Sequence, residues 1–535
     1  MKLIIHRGRL TQGLIGTAVM LVLAGCGGGG GSAALAPPTI AELRTSCADL
    51  RGKTLEGVTV TNTVRIEATS GVNASGLCQV LGTRAPYLDI EVTVPDGWSG
   101  RLFQQGGGGF DGRLASAITS VNGVVTAVHP AVTQRGAAYA ASNGGSRSSN
   151  PAQAAPAVWI SGTPDAQAAA TDYAYRAVGT TVTFAKAVTR AIFASNPTYT
   201  YFNGCSNGGR NAYIAAERWP AEYSGIVAGC ETMDMGGTTA GMLATAAKAG
   251  TPADITPAQY TDAYSRAVAS CDASDGVTDG YVANPNGCNF APAALQCGQP
   301  GASTNPALCL SAAQVSTLSG LLTDLRLSSG KTVYGKYNWT NFAQGAPGYG
   351  GLGGGFAFLA TNDPRWFGAP PPANTPAPNL ATYNLEQAFP LFSEGLLRVG
   401  ADHDKSAVAR FVSKGGKLLS WHDAGDPLIS PTDHLRNYNT MTAIAKTQGL
   451  ADTRMNTRMM FVPASGHGAG GNLDEIDWLG AIIDWVENAR APDQLTYRFT
   501  QGVTARTLPV CEAPKYPRYN GTGDVNSAAS YACAS

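Results

Sequence analysis

Residues 199–228 constrain the fold of this chain more than any other stretch. Tyr199-Thr200-Tyr201-Phe202 is aromatic and β-branched, the composition of a short buried strand. Gly204-Cys205-Ser206-Asn207-Gly208-Gly209-Arg210 follows, a polar turn flanked by glycines, and a helix is predicted from it through about Trp219. Residues 224–228 return to an apolar strand pattern. Strand, turn, helix and strand in that order form a crossover between parallel strands, so an α/β fold with a parallel sheet is expected.

The same rhythm extends outward. Segments 58–60, 64–66 and 87–92 alternate with a period of two, and 101–105 reads as a strand ending in Gly106-Gly107-Gly108-Gly109. A long helix is predicted over about 168–196, a strand over 417–421, and a last helix over about 474–489 with Ile476, Leu479, Ile482, Ile483 and Val486 on one face. Between 231 and 400 the rhythm is lost among Gly-rich and Pro-rich runs (350–355, 370–372). The expected organisation is a core of 46–230 and 401–535 with a large inserted lid of 231–400. At 44% hydrophobic and 14% charged, the 535 residues support a large buried core. Lys+Arg and Asp+Glu balance at 37 each and no basic run is present, which argues against nucleic acid as a partner.

The N-terminus reads as a targeting signal. Lys2, Arg7 and Arg9 precede an apolar stretch, 14–23, too short for a spanning anchor, and Leu23-Ala24-Gly25-Cys26 looks like a bacterial lipobox. Residues 1–25 would be the signal peptide, Cys26 the lipidated residue and 26–45 a flexible tether. The other reading is an ordinary cleaved signal with an incidental Cys26. The expectation is an exported outer-membrane lipoprotein, periplasmic or at the cell surface, that meets the membrane through its lipid only and is otherwise a monomer. Export permits disulfides. Of 11 cysteines, ten remain beyond Cys26, and Cys47/Cys78, Cys271/Cys288, Cys297/Cys309 and Cys511/Cys533 are local pairs by spacing. No CxxC spacing occurs, which argues against zinc.

Gly204-Cys205-Ser206-Asn207-Gly208 has the Gly-x-Ser-x-Gly form of a nucleophile elbow, in which a tight strand-to-helix turn projects the serine above the strand ends. The backbone N–H of Asn207 at the helix start can stabilise an oxyanion, and the Gly106–109 run can offer a second N–H. A serine needs a base, and the base needs an orienting carboxylate. Six histidines are present. His6 lies in the signal, His129 lies upstream of the serine, His403 precedes the acid region, and His422 and His434 lie within it. His467, in Pro463-Ala464-Ser465-Gly466-His467-Gly468 after an apolar run, is the candidate base. Asp426 is the candidate acid, because Pro427 restrains the backbone after it and Gly425 permits a tight turn; Asp423 is the fallback.

A separate loop, Asp272-Ala273-Ser274-Asp275-Gly276-Val277-Thr278-Asp279-Gly280-Tyr281, spaces carboxylates between glycines. That pattern suits Ca²⁺ and suits a solvated turn equally.

At 204–210 the chain resembles the tannase/feruloyl esterase family, which includes mono(2-hydroxyethyl) terephthalate hydrolases. Segments 223–229, 271–281, 415–431, 461–467 and 485–494, and the tail from Arg506 to Cys533, are similar to the corresponding family segments. The resemblance implies an α/β-hydrolase core with a large lid and hydrolysis of esters of aromatic acids. It implies Ser206 as nucleophile, Asp426 as acid, His467 as base, and the backbones of Asn207 and Gly109 as oxyanion donors. It also implies a structural Ca²⁺ on Asp272, Asp275 and Asp279 with the carbonyls of Val277 and Tyr281. Lid aromatics Trp339, Phe342, Phe356, Phe358 and Trp366 either stack on an aromatic acyl group or form the core of the lid.

One departure stands out. The family usually has Cys directly after the catalytic His, bonded to the Cys before the Ser; here that position is Gly468. With four local pairs assigned, Cys205 and Cys230 remain, each just past one of two neighbouring parallel strands. They form either a disulfide bracing the elbow or two buried thiols. The competing functional class is a non-catalytic binding lipoprotein on a hydrolase scaffold.

Overall fold

The computed structural model describes residues 38–147, 164–343 and 384–535. Twelve strands of the described chain form one mixed sheet. Numbered in chain order they are β1 (Thr54–Leu55), β2 (Val58–Ile66), β3 (Leu77–Arg84), β4 (Leu88–Pro95), β5 (Arg101–Gln105), β6 (Ala138–Ser142), β7 (Tyr199–Cys205), β8 (Gly225–Gly229), β9 (Lys417–Asp423), β10 (Thr457–Val462), β11 (Leu495–Gln501) and β12 (Thr504–Glu512). Their spatial order is β1-β2-β3-β4-β6-β5-β7-β8-β9-β10-β12-β11. From β6 to β10 neighbours run parallel, and antiparallel strands flank them on both sides. The fold is α/β, as expected, with a mixed rather than purely parallel sheet.

Burial follows position in the sheet. β8, Gly-Ile-Val-Ala-Gly, is buried at every residue because helices cover both faces, whereas β2 near the edge alternates at its start. One face is filled around Phe184, Phe202, Tyr213 and Phe411. The other is filled around Trp421, Trp478, Ile482 and Trp485, with Trp421 and Trp478 stacked at 5.3 Å. The helix predicted over 168–196 is interrupted: α-helix Pro164–Thr171 and α-helix Ala177–Phe193 are joined by one wide π turn, Asp172–Arg176. Buried Asp172 in that turn accepts from Arg84 and Arg176, pairings that no local periodicity discloses.

Between β8 and β9 lies the long insertion. Its own small core contains Tyr260, Leu318, Tyr334, Trp339 and Phe342. Trp339 and Phe342 are therefore core residues of the insert, while Phe356, Phe358 and Trp366 lie outside the described residues. The insert also buttresses the loop after β9: Tyr337 Oη donates to the Leu428 carbonyl (3.0 Å), Asn341 Nδ2 to the Asp426 carbonyl (2.8 Å) and Thr340 Oγ1 to the Ala424 carbonyl (2.8 Å).

At the N-terminus the flexible tether expected over 26–45 gives way to a helix at Ile40–Ala48. Thr39 caps it and Glu42 bonds back to the Thr39 N–H, a capping box written plainly in the sequence. The signal segment, Cys26 and most of the tether lie outside the described residues. No helix among the described residues is long and apolar enough to cross a membrane. Among the described residues five disulfides are formed: Cys47–Cys78, Cys205–Cys230, Cys271–Cys288, Cys297–Cys309 and Cys511–Cys533.

Candidate active site

β7 delivers Ser206 into a left-handed backbone conformation, φ 60° and ψ −131°, at the cap of helix Asn207–Arg218. A non-glycine residue there is strained, and its surroundings hold it. The Ser206 N–H donates to the Gly229 carbonyl at 3.1 Å. Glycines let the elbow close: a Cβ on Gly106 would lie 2.5 Å from Gly208 Cα, and one on Gly204 would overlap the Gly208 carbonyl. The run before Gly109 thus packs directly against the first turn of the helix.

β8 and β9 end beside the elbow, with Gly229 in register with both Cys205 and Trp421. Cys230, one residue past β8, is joined to Cys205 with Cα atoms 5.1 Å apart. Gly468 lies beside the same sulfur; a Cβ there would be 3.6 Å from Cys205 Sγ.

His467 Nδ1 donates to Asp426 Oδ2 at 2.7 Å, leaving Nε2 as the nitrogen able to take a proton. Asp426 is fully buried and also accepts from the N–H groups of Leu428 and Ile429 and from His422 Nε2. Burial alone would raise its pKa; the charge of His467 and the hydrogen bonds from both imidazoles outweigh it and hold the carboxyl well below the usual carboxylate range. Burial pushes the His467 imidazole down, but the charge and hydrogen bond of Asp426, with the charges of Asp423 and Glu231, hold it up at about 9.

Asp423 does a different job. Its two oxygens accept from the N–H groups of Gly468 and Gly470, both at 2.8 Å, so it grips the loop that carries His467 without touching the imidazole. Burial, then the charge of Asp426, push it up to about 6.

Ser206, Asn207, Gly109 and His467 line one cavity, together with Tyr173, Arg210, Glu231 and the apolar walls Met235, Met242, Leu428 and Ile429. Gly109 has φ 57° and its carbonyl accepts from Tyr173 Oη at 3.2 Å.

Several residues at this site escaped sequence reasoning. Asp111, two residues past Gly109, accepts from Asn207 Nδ2, and Asn207 Oδ1 accepts from Arg210 Nε at 2.8 Å. Burial, opposed by the Asn207 bond and the Arg210 charge, raises Asp111 to about 7. Behind Asp426 runs a buried file of polar groups. His422 Nδ1 meets His434 Nδ1 at 2.8 Å, and His434 Nε2 meets Tyr213 Oη, which lies 2.9 Å from Ser420 Oγ. His422 Nε2 faces two acceptors, Asp426 and the Ile429 carbonyl, so it carries the proton and His422 Nδ1 accepts. His434 is kept neutral by burial. Glu231 also lines the cavity, and its one discernible signal was its place immediately after Cys230.

The acidic loop lies at the end of helix Pro257–Cys271, stapled by Cys271–Cys288. Asp272 accepts from the N–H groups of Asp279 and Gly280, Asp275 from that of Val277, and Asp279 pairs with Arg506 at 2.6 Å. The side chains of the described residues do not gather three His, Cys, Asp or Glu ligands around one point. The donor set still suits a hard cation: Asp272 and Asp275 are buried, Asp279 Oδ1 is buried without a hydrogen-bond partner, and burial plus the charges of Asp279 and Asp272 push Asp275 up to about 7.

This geometry sits on a recognised scaffold. A family model for tannase and feruloyl esterase matches residues 72–352 and 397–534. The chain is 30% identical over 529 aligned residues to mono(2-hydroxyethyl) terephthalate hydrolase of Piscinibacter sakaiensis, covering 85% of this chain and 84% of that one. It is 26% identical to feruloyl esterase B of Aspergillus niger, over 68% of this chain and 71% of that one. Among solved structures, feruloyl esterase B from Aspergillus oryzae superposes with a TM-score of 0.74 at 20% identity, covering 92% and 99% of the two chains. Tannin acyl hydrolase from Aspergillus niger gives 0.70 at 20% identity, covering 94% and 96%. The chain belongs to the tannase and feruloyl esterase family and is a carboxylic ester hydrolase with an α/β-hydrolase fold.

Proposed function

We propose that the protein hydrolyses esters of aromatic acids, feruloyl, galloyl or related, through an acyl-enzyme on Ser206. The observation that carries this reading is the His467–Asp426 hydrogen bond at 2.7 Å, with His467 and Ser206 on one cavity beside the backbones of Asn207 and Gly109. His467 Nε2 takes the Ser206 proton as Oγ bonds to the ester carbon. The N–H groups of Asn207 and Gly109 receive the developing oxyanion. His467 then returns the proton to the departing alcohol, and water, activated by the same imidazole, releases the acid. Asp426 holds the imidazole and balances its charge. Apolar walls from Met235, Met242, Leu428 and Ile429 support an aromatic acyl group, as do the substrates in the names of the relatives.

The remaining parts of the reading concern the setting. Cys26 carries a lipid that tethers the exported enzyme to the outer membrane, supported by the lipobox pattern and by the disulfides, which suit an oxidising compartment. A structural Ca²⁺ is held by Asp272, Asp275 and Asp279 with the carbonyls of Val277 and Tyr281, supported by the crowded buried carboxylates of that loop. When bound, the ion supplies charge compensation and cross-links the loop.

Ser206→Ala tests the core of the proposal. Hydrolysis of ferulate, gallate and simple aryl esters, and labelling by a fluorophosphonate, should vanish while the protein stays folded. Retained hydrolysis by the folded variant would refute it.

A further inference from the structure

The cavity holds a carboxylic acid that takes no part in the proton relay. Glu231 lies two residues past the end of β8, as Ser206 lies one past β7, and Gly229 pairs with Cys205 across those strands. Both side chains thus enter the cavity from the same end of the sheet. Glu231 is buried, and its Oε1 accepts from the Thr232 N–H at 2.7 Å.

Arg210, on the same cavity, is already committed. Its Nε donates to Asn207, Nη1 to the Ala174 carbonyl, and Nη2 to the Tyr173 carbonyl and Asn211, while its guanidinium lies 4.6 Å from the centre of the Tyr173 ring. Swinging out to meet a substrate carboxylate would break that set of bonds at once.

We propose that Glu231 is a specificity-determining residue for the acyl group, accepting a hydrogen bond from a hydroxyl on the aromatic ring and disfavouring a carboxylate there. The inference rests on the aromatic-ester reading. A phenolic hydroxyl entering an apolar-walled cavity loses its water and needs a partner. Glu231 supplies an acceptor oxygen in either protonation state. A carboxylate substituent instead meets a second acid in a confined space, and two such groups resist sharing two charges. Burial and the charge of Asp426 push Glu231 up to about 8, against the opposing Thr232 bond and the Arg210 and His467 charges, so a carboxylate is disfavoured above that pH, where Glu231 is ionised and has no proton to share.

The test uses three esters of one alcohol, with hydroxylated, unsubstituted and carboxylated aromatic acyl groups, and wild type, Glu231→Gln and Glu231→Leu. Assayed above the Glu231 pKa of about 8, wild type should prefer hydroxylated over unsubstituted by about tenfold in kcat/KM, and unsubstituted over carboxylated by at least as much. Glu231→Leu should bring the first ratio near one. Glu231→Gln should keep most of the first, because an amide oxygen still accepts, and narrow the second. Affinities of the same intact esters for Ser206→Ala with and without Glu231→Leu give the ratios without turnover. Ratios unchanged by Glu231→Leu in both measurements would overturn the proposal. Failure of wild type to hydrolyse any of the three esters would overturn the aromatic-ester reading instead.

Discussion

Asp111 Oδ1 accepts a hydrogen bond from Asn207 Nδ2 at 2.7 Å, and this contact joins the two segments proposed to form the oxyanion site. Asp111 belongs to the loop of Gly109, and Asn207 opens the helix after Ser206. Asp111→Ala should therefore lower kcat by about tenfold to a hundredfold with little change in KM, less than the loss of an oxyanion donor itself. Asp111→Asn keeps an acceptor for Asn207 and should recover most of the rate. Equal losses in both variants, tracking a fall in melting temperature, would make the contact merely structural.

The two aspartates at the end of β9 should separate cleanly. Asp426→Asn removes the charge that holds His467 and should cost about 10⁴ in kcat. Asp423→Asn leaves the Asp426–His467 bond in place but gives up one of two acceptors for the Gly468 and Gly470 N–H groups. Its loss should be near tenfold. The opposite ranking in steady-state kinetics would transfer the orienting role to Asp423.

The pH profile has a defined sign. Only neutral His467 accepts the serine proton, and its pKa is held up at about 9. kcat/KM should accordingly climb as pH rises toward about 9 and fall as the imidazole protonates below it. Glu231 contributes to that elevation, so Glu231→Gln should move the acid limb to lower pH. An acid limb at or below the ordinary histidine range, unmoved in the variant, would contradict the electrostatic assignment.

Cys205–Cys230 closes a short loop through the elbow, with a sequence separation of 25. Chain-entropy arguments put such a cross-link at about 3 kcal/mol. Replacing both cysteines by alanine should lower the melting temperature and reduce kcat more than KM, since Ser206 donates its N–H beside this bridge. Non-reducing peptide mapping should recover one peptide joining the two residues. Two alkylatable thiols in the denatured, unreduced protein would count against it.

Removal of the proposed Ca²⁺ should act on stability first. With ion bound only by the folded loop, chelator lowers the melting temperature by mass action, while chemistry at Ser206 below that temperature persists. Asp275→Asn should reproduce the chelated melt. A melting curve that responds neither to chelator nor to added Ca²⁺ in metal-free protein would exclude the site.

Much of this protein is written locally. The parallel crossover at 199–228 follows from two apolar strands and a glycine-rich turn that admits no other close packing. Strand β5 begins and ends where its pattern does, and the glycines around Ser206 announce the strained turn. The capping box at Thr39–Glu42 is equally legible, and it starts a helix inside the segment expected to be tether.

Other features depend on loops that meet from distant parts of the chain. Asp423 and Asp426 are three residues apart and both buried, one ending β9 and the other in the loop after it, so composition ranks them weakly. Only the path of the loop over the sheet brings Asp426 to an imidazole 41 residues away and turns Asp423 toward glycine N–H groups. The same holds for His422 and His434, Arg210 and Glu231, and for Trp339 and Phe342, which the insert keeps for its own core. By itself the sequence determined the α/β crossover and the glycine-flanked serine turn, because strand pairing and tight turns are governed by local period and sterics. The tertiary structure alone decided which carboxylate meets His467, which acid lines the cavity and which ring is core, because those outcomes depend on contacts between residues that no local pattern relates.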